Sequence, residues 1–479
     1  MKQFVGRKKE LALLKTLDGS GQGKLVVIRG RRRTGKSRLA REFGKDRKFL
    51  EFAGLPPTDS VTAQDQRNIF ASKLAENLQL PPLTFNDWYD AFLNLSHHID
   101  KTPTVILLDE ISWMGSKDPT FLPKLKVWWD TVCEKHPNLV VIICGSVSTW
   151  IEKNIINSTA FFGRISLSID LEPLSLPESG LFLNKMGFKG SNYEIFKILS
   201  ILGGIPWYLE RINPRQMADA NIRQLCFEKD SLLLREFDLI FHDLFNEAGS
   251  SCKKIIHILT NGMKTLEEIR QSLNFSRSGV LSTYMKNLIT SGFVTQYYQW
   301  SLKTERLGKQ SLYRLTDLYS RFYIKYIERH RLKIKRGTYE NMEINKLPGW
   351  EGMMGLQVES LLLQNRPLLL KSLEISAADV VADNPYNQSP TARKKGCQVD
   401  YLIQTRTNNL FVCEFKFMRR EIGVEIIEEV KEKIRRLSVP RGHAVVPVLF
   451  HLGGVSDLVH DKDYFYRVVD IGDFLTQES

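Results

Sequence analysis

Eight consecutive residues constrain this chain more than any others: Gly30-Arg31-Arg32-Arg33-Thr34-Gly35-Lys36-Ser37. They follow the β-branched run Lys24 to Gly30, KLVVIRG, which reads as a buried strand. They open into RLAREFGK, which reads as a helix. A strand, a glycine-bounded turn and a helix in that order make a cradle for phosphate. The glycines let the backbone turn tightly so that its N–H groups point inward, and the helix adds its positive end. Arg31, Arg32, Arg33 and Thr34 supply the cradle between Gly30 and Gly35. Lys36 is placed to reach the β- and γ-phosphates of a nucleotide, and Ser37 to ligate Mg²⁺. A chain built on this feature is expected to fold around a parallel α/β sheet.

Two further apolar runs support that expectation. Thr104 to Glu110 reads TVILLDE, a strand ending in two carboxylates. Asp109 would hold Mg²⁺, and Glu110 would polarise the attacking water as a general base. Leu139 to Cys144 reads LVVIIC and runs into Gly145-Ser146. Ser146 is either a sensor of the γ-phosphate or a plain turn residue after a parallel strand.

With these residues in view the sequence resembles the archaeal-type P-loop ATPases related to the STAND and AAA+ groups. The resemblance is carried by Phe4-Val5-Gly6-Arg7 with Glu10, GRRRTGKS, LLDEISWM, ICGSVS, Phe162-Gly163-Arg164 and Gly203-Gly204-Ile205-Pro206. It implies ATP and Mg²⁺ as cofactors and ATP hydrolysis as the activity. It implies that Arg164 is an arginine finger or sensor, and that Gly204 and Pro206 belong to a lid touching nucleotide. The alternatives are a surface salt bridge for Arg164 and a helix-breaking turn for GGIP.

Charge divides the chain unevenly. The 479 residues carry a net charge of +13. Residues 1–50 hold 16 basic and 4 acidic groups, and residues 251–350 hold 18 and 7, so the rest of the chain is net acidic. The first excess surrounds the phosphate cradle and needs no nucleic acid to explain it. The second coincides with a different pattern. CKKIIHILTNG is an amphipathic helix, and Thr265-Leu266-Glu267-Glu268 is a capping box opening a second. SRSGVLSTYMKNLITSG is a third helix stopped at Gly292, followed by two strands, FVTQYYQW and SLYRLTD. Three helices and a hairpin make a winged helix-turn-helix, which the resembled family commonly carries here. In a DNA-binding version Arg277, Ser278, Thr283 and Lys286 face the groove, and Lys303, Arg306 and Lys309 lie in the wing. Packing against protein is the competing role. The basic, aromatic run RFYIKYIERHRLKIKRG either binds phosphate and bases or buries its apolar side.

A last unit begins near residue 350. WEGMMGLQVESLLLQ is a helix containing Glu359, and Asp383 to Lys395 reads as a polar loop. QVDYLI and LFVCEFKF are strands joined at Asn408-Asn409. Asp400 lies in the first, and Glu414 and Lys416, two apart, share one face of the second. This D…ExK pattern resembles the PD-(D/E)XK nuclease superfamily, which implies Glu359, Asp400 and Glu414 as metal ligands and Lys416 as the catalytic lysine. Gln398 stands where relatives often have an acid. An ion-paired structural strand is the alternative.

The expected organisation is a P-loop ATPase core over residues 1–172, a helical lid over 173–248, a winged helix over 249–330 and a restriction-endonuclease-like α/β domain over 331–479. The expected function is a switch ATPase coupling nucleotide state to DNA. The alternatives are an ATP-gated metal-dependent DNA nuclease, a non-catalytic DNA-binding regulator, and an ATP-dependent signalling scaffold that binds protein partners or further copies of itself. The six cysteines form no CxxC pair. With no apolar run near the ~20 residues a membrane span needs, the expected location is cytoplasmic.

Overall fold

The computed structural model describes residues 4–19, 21–56, 58–146, 149–245, 248–275, 279–390 and 395–476. The chain divides into two units, Met1–Pro173 and Leu174–Ser479.

The first unit is built on five parallel strands: β1 (Lys24–Gly30), β2 (Lys48–Ala53), β3 (Thr104–Asp109), β4 (Leu139–Ser146) and β5 (Ile165–Leu171). Their order is β2-β3-β4-β1-β5. The runs KLVVIRG, TVILLD and LVVIICGS are buried almost throughout, as strands covered on both faces must be. Alternate residues feed two cores. Val27, Ile106, Leu108, Val141 and Ile143 join Phe70, Trp88, Phe92 and Trp128 on one side. Val26, Ile28, Val105, Leu107 and Ile142 join Leu39, Ala40 and Phe43 on the other. β2 was not foreseen, although KFLEFA alternates its burial.

The second unit begins with helices Leu176–Lys185, Asn192–Leu202, Ala218–Cys226 and Leu233–Phe245, at the helical spacing of the sequence. Helices Gly249–Leu259, Leu266–Ser272 and Gly279–Thr290 follow, interleaved with β6 (Lys264–Thr265), β7 (Val294–Trp300) and β8 (Leu307–Leu315). These strands form an antiparallel sheet of order β6-β8-β7. The capping box is formed: Thr265 N–H donates to Glu268 Oε2 at 2.7 Å, and Glu268 N–H donates to Thr265 Oγ1 at 3.2 Å.

In the basic aromatic run, Phe322, Tyr323 and Tyr326 are buried while Lys333, Lys335 and Arg336 are exposed. The aromatic rings are core, which excludes base stacking by them.

The last sheet has order β13-β12-β11-β10-β9, from β9 (Val380–Gln388), β10 (Cys397–Thr405), β11 (Asn409–Phe417), β12 (Ala444–Leu452) and β13 (Arg467–Asp470). β9, β10 and β11 are antiparallel, whereas β11, β12 and β13 run parallel. The helix Trp350–Gln364 and the helix Glu425–Arg436 accompany it. One expectation fails here. The polar segment from Asp383 is not a loop but continues β9 through Pro385 to Gln388. β9 is an edge strand, and an edge tolerates proline and polar side chains that a central strand would not.

Candidate functional site

The carboxyl ends of β1, β3 and β4 bring the phosphate-loop residues together. Helix Lys36–Phe43 starts directly after the turn, with Gly35 as its N-cap at φ 94°. Arg33 also takes a left-handed φ of 72°, a conformation a non-glycine residue adopts only at a cost. At Gly30 the restriction is steric, because a Cβ would strike the carbonyl of Leu171. Lys36 is buried and donates from Nζ to the carbonyls of Gly30 and Arg31, each at 3.1 Å. Thr34 closes the turn by donating to Arg31 O at 2.8 Å. Ser37 Oγ donates to Asp109 Oδ2 at 2.6 Å, joining the two motifs that the sequence separates by 72 residues.

Glu110 follows at the end of β3, in the left-handed region at φ 50°. Its Oε2 is buried and has no hydrogen-bond partner. Burial pushes the Glu110 carboxyl pKa up, while Lys36 pulls it down. The Ser146 N–H donates to this carboxylate, and Ser146 pairs in register with Gly30. Ser146 thus sits between the phosphate turn and the carboxylate strand. A buried ammonium held only by carbonyls, a hydroxyl paired with a carboxylate and an orphaned carboxylate oxygen match what Mg²⁺ and a triphosphate require.

Arg7 carries a role that was not foreseen. Buried at 4% exposure, it donates to Thr34 O at 3.2 Å and to Glu172 O at 2.6 Å. It ties the cradle to the end of the domain. Only its place in the FVGR segment hinted at this.

Arg164 is not where the sequence reading put it. Ile165 pairs with Leu25 at the start of β1, whereas Gly30 pairs with Leu171. In a parallel pair this leaves Arg164 and the phosphate turn at opposite ends of the strands, roughly 20 Å apart at ~3.3 Å per residue. Arg164 instead forms a two-pronged pair with Asp130, at 2.6 and 3.0 Å, and holds that carboxyl down at about 2. Arg164→Ala is therefore expected to leave ATP turnover of the isolated chain within about twofold, as for a surface ion pair. A steady-state assay at low protein concentration checks this, and a loss of tenfold or more would speak against it.

Gly204 and Pro206 lie in the second unit. A Cβ on Gly204 would strike the carbonyl of Leu174, and Leu174 N–H donates to Gly204 O at 2.7 Å. Pro206 opens the short helix Pro206–Leu209. Both have structural reasons to be what they are.

A second cluster forms on the last sheet. Asp400, Glu414 and Lys416 come together, as alternation on adjacent strands predicts. Lys416 Nζ lies 3.1 Å from Glu414 Oε1 and 2.8 Å from Glu429 Oε2. Lys433, from the helix Glu425–Arg436, pairs with Glu414 and lies 3.8 Å from Asp400 Oδ1. Asp400 accepts from Phe415 N–H at 3.1 Å. Burial, with Glu414 beside it, pushes the Asp400 carboxyl pKa up to about 7.

Glu359 does not join them as a free ligand. It is paired with the buried Arg314 of β8, which also donates to Ser360 Oγ and Leu356 O, each at 3.1 Å. Among the described residues no group of three or more His, Cys, Asp or Glu is arranged to hold a metal ion. Lys433 and Arg314 are the cations that sequence reasoning missed.

The Asp400 shift sets a pH dependence. A carboxyl whose folded pKa lies above its unfolded value stabilises the fold at low pH. That contribution is lost as pH rises from about 4 to about 7. Asp400→Asn removes the buried charge and keeps an acceptor. In metal-free buffer it is expected to stabilise the protein by about 1–3 kcal/mol at pH 8 and by less at pH 5. Thermal unfolding at the two pH values checks the sign.

Comparison with known proteins bears on the first of these sites. Residues 4–212 match a family described as an ATPase domain predominantly from Archaea. That segment is similar to archaeal-type P-loop ATPase domains. The match supports ATP binding and covers less than half of the chain. An uncharacterized protein of Methanocaldococcus jannaschii is 27% identical over 345 residues, covering 71% of this chain and 72% of that one. Among solved structures, a Walker-type ATPase of Pyrococcus abyssi is 16% identical, with a TM-score of 0.48, over 67% of this chain and 96% of that one. The ORC2 protein of Aeropyrum pernix, solved with ADPNP and ADP, is 14% identical, with a TM-score of 0.43, over 70% and 95%.

Proposed function

We propose that this chain is a Mg²⁺-ATP-dependent switch ATPase that couples its nucleotide state to a DNA-binding winged helix and a nuclease-like domain. The observation that carries the reading is the Ser37–Asp109 bond beside the orphaned Glu110 oxygen. Ser37 and Asp109 would hold the metal, Lys36 and the turn's N–H groups the phosphates, and Glu110 the water's proton. Bound Mg²⁺ supplies charge neutralisation at the phosphates.

The order helix, β6, helix, helix, β7, β8 with sheet order β6-β8-β7 supports the winged-helix reading. Thr283 and Lys286 are exposed on the third helix, and Arg277 and Ser278 lie outside the described residues.

A helix bearing Glu359, three antiparallel strands and a helix before β12 support the nuclease-like reading. Asp400 and Glu414 converge on one ammonium, so as a pair they fit a divalent cation, with Lys416 beside them. Glu359, neutralised by Arg314, does not fit that role in this conformation.

The test is a cleavage assay on DNA with ATP and Mg²⁺ or Mn²⁺, comparing wild type with Glu414→Ala. Metal-dependent cleavage lost in the variant with ATP turnover retained supports the gated nuclease. No cleavage by wild type under any condition leaves the switch reading and removes the nuclease.

A further inference from the structure

The β7–β8 hairpin does not end in free solvent. Trp300 and Leu302, at its tip, are buried in an apolar cluster with Cys397, Val399 and Leu437 of the last sheet and its helix. Trp300 Nε1 donates to Gln404 Oε1 at 2.7 Å, and Gln404 Nε2 donates back to Leu302 O at 3.0 Å. A tip meant only to lie along a DNA backbone has no need of a buried tryptophan. Here the tip is fixed to the domain that holds Asp400.

A cavity of about 470 Å³ adjoins this joint. Its walls include Gln398, the carboxylates of Asp400, Glu429 and Glu432, and the cations of Lys433 and Arg436. Cys397 belongs to both the cavity wall and the cluster that grips Leu302. Leu437, in the same cluster, follows the lining residue Arg436. The hairpin tip is therefore anchored beside the cavity.

What the tip leaves outside is basic. Lys303, Arg306 and Lys309 are exposed, and none is paired with a carboxylate among the described residues. The turn that carries them is held by Glu305 N–H donating to Ser301 O at 2.8 Å and Ser301 N–H donating to Arg306 O at 3.0 Å. Three unpaired cations on one turn suit a polyanion whose charges repeat along a strand; the cavity adds no free cation, since its Lys433 and Arg436 pair with Glu414 and Glu432. A cavity this size takes one nucleotide unit and not a duplex.

We infer that the wing tip and the Asp400 cavity form one continuous surface for a single nucleic-acid strand, with Lys303, Arg306 and Lys309 holding phosphates while the strand enters at Gln398. This rests on the DNA-binding reading above, and the experiment separates the two.

Full-length protein is titrated against labelled single-stranded DNA over a range of salt, as wild type and as the Lys303→Glu/Arg306→Glu/Lys309→Glu triple variant. These side chains are exposed, so the variant should fold, and circular dichroism verifies it. Loss of three phosphate contacts predicts that the slope of log Kobs against log[salt] falls by about 2. In parallel, Gln398→Cys carries a benzophenone photo-crosslinker, which the six buried native cysteines leave selective. The crosslinker is expected to capture the strand, and capture should be lost when the three reversals are added.

Wild-type protein that binds DNA with a slope unchanged in the triple variant, or without capture at position 398, overturns this inference and leaves DNA binding standing. Wild-type protein that binds no DNA at low salt overturns both.

Discussion

Lys36→Ala is expected to weaken ATP binding and to lower ATP turnover by about 10²-fold or more, the loss typical of removing one preorganised donor to developing charge. The reason is the environment of that ammonium. Lys36 is buried, and its Nζ partners are the carbonyls of Gly30 and Arg31, neutral acceptors that compensate its charge only partly. Such a charge is expensive to keep unless a ligand uses it. The turn's backbone N–H groups cannot replace it, because they contribute partial charge only. The fold should survive the change, since alanine leaves no buried charge behind. Nucleotide titration alongside circular dichroism measures both.

Glu110→Gln is the second large effect. Turnover is expected to fall by about 10²- to 10⁴-fold, the usual contribution of a positioned general base. ATP binding should persist, because the amide keeps the shape and the acceptor oxygen. The wild-type pH profile carries a further signature. Burial raises the Glu110 carboxyl pKa, so its protonated, inactive form persists to higher pH than an ordinary glutamate's. The acid limb of kcat should therefore lie higher than an ordinary glutamate would set it, and the residual activity of Glu110→Gln should lack it. Equal pH profiles for the two proteins would remove Glu110 from the chemistry.

The nucleotide site was legible because its parts are local. The phosphate turn is eight adjacent residues, and each carboxylate ends an apolar run whose burial its own composition announces. Arg164 was left between two roles for the opposite reason. Its proximity to nucleotide depends on which end of β5 meets which end of β1, a matter of parallel register that motif spacing does not contain. The same holds for the pairing of Arg314 with Glu359 across 45 residues, and of Lys433 with Glu414 across 19. Each cation lies on a surface of its element that looks like any other amphipathic helix or hairpin. The edge strand β9 was hidden because Asn384, Pro385 and Asn387 carry loop chemistry, and only its position at the sheet's margin permits it. Gly204 has a further reason to be glycine that the sequence does not show: its missing Cβ makes room for the Leu174 backbone. A glycine signals close approach without naming what approaches.

The proposed switch has nucleotide state setting how strongly the protein binds DNA. The direct measurement is the affinity of full-length protein for one DNA in two states: Glu110→Gln held with Mg²⁺-ATP, and wild type held with Mg²⁺-ADP. A switch predicts affinities differing by about fivefold or more, the lower end of ordinary coupling energies. Equal affinities in the two states, with nucleotide binding verified in both, would contradict it.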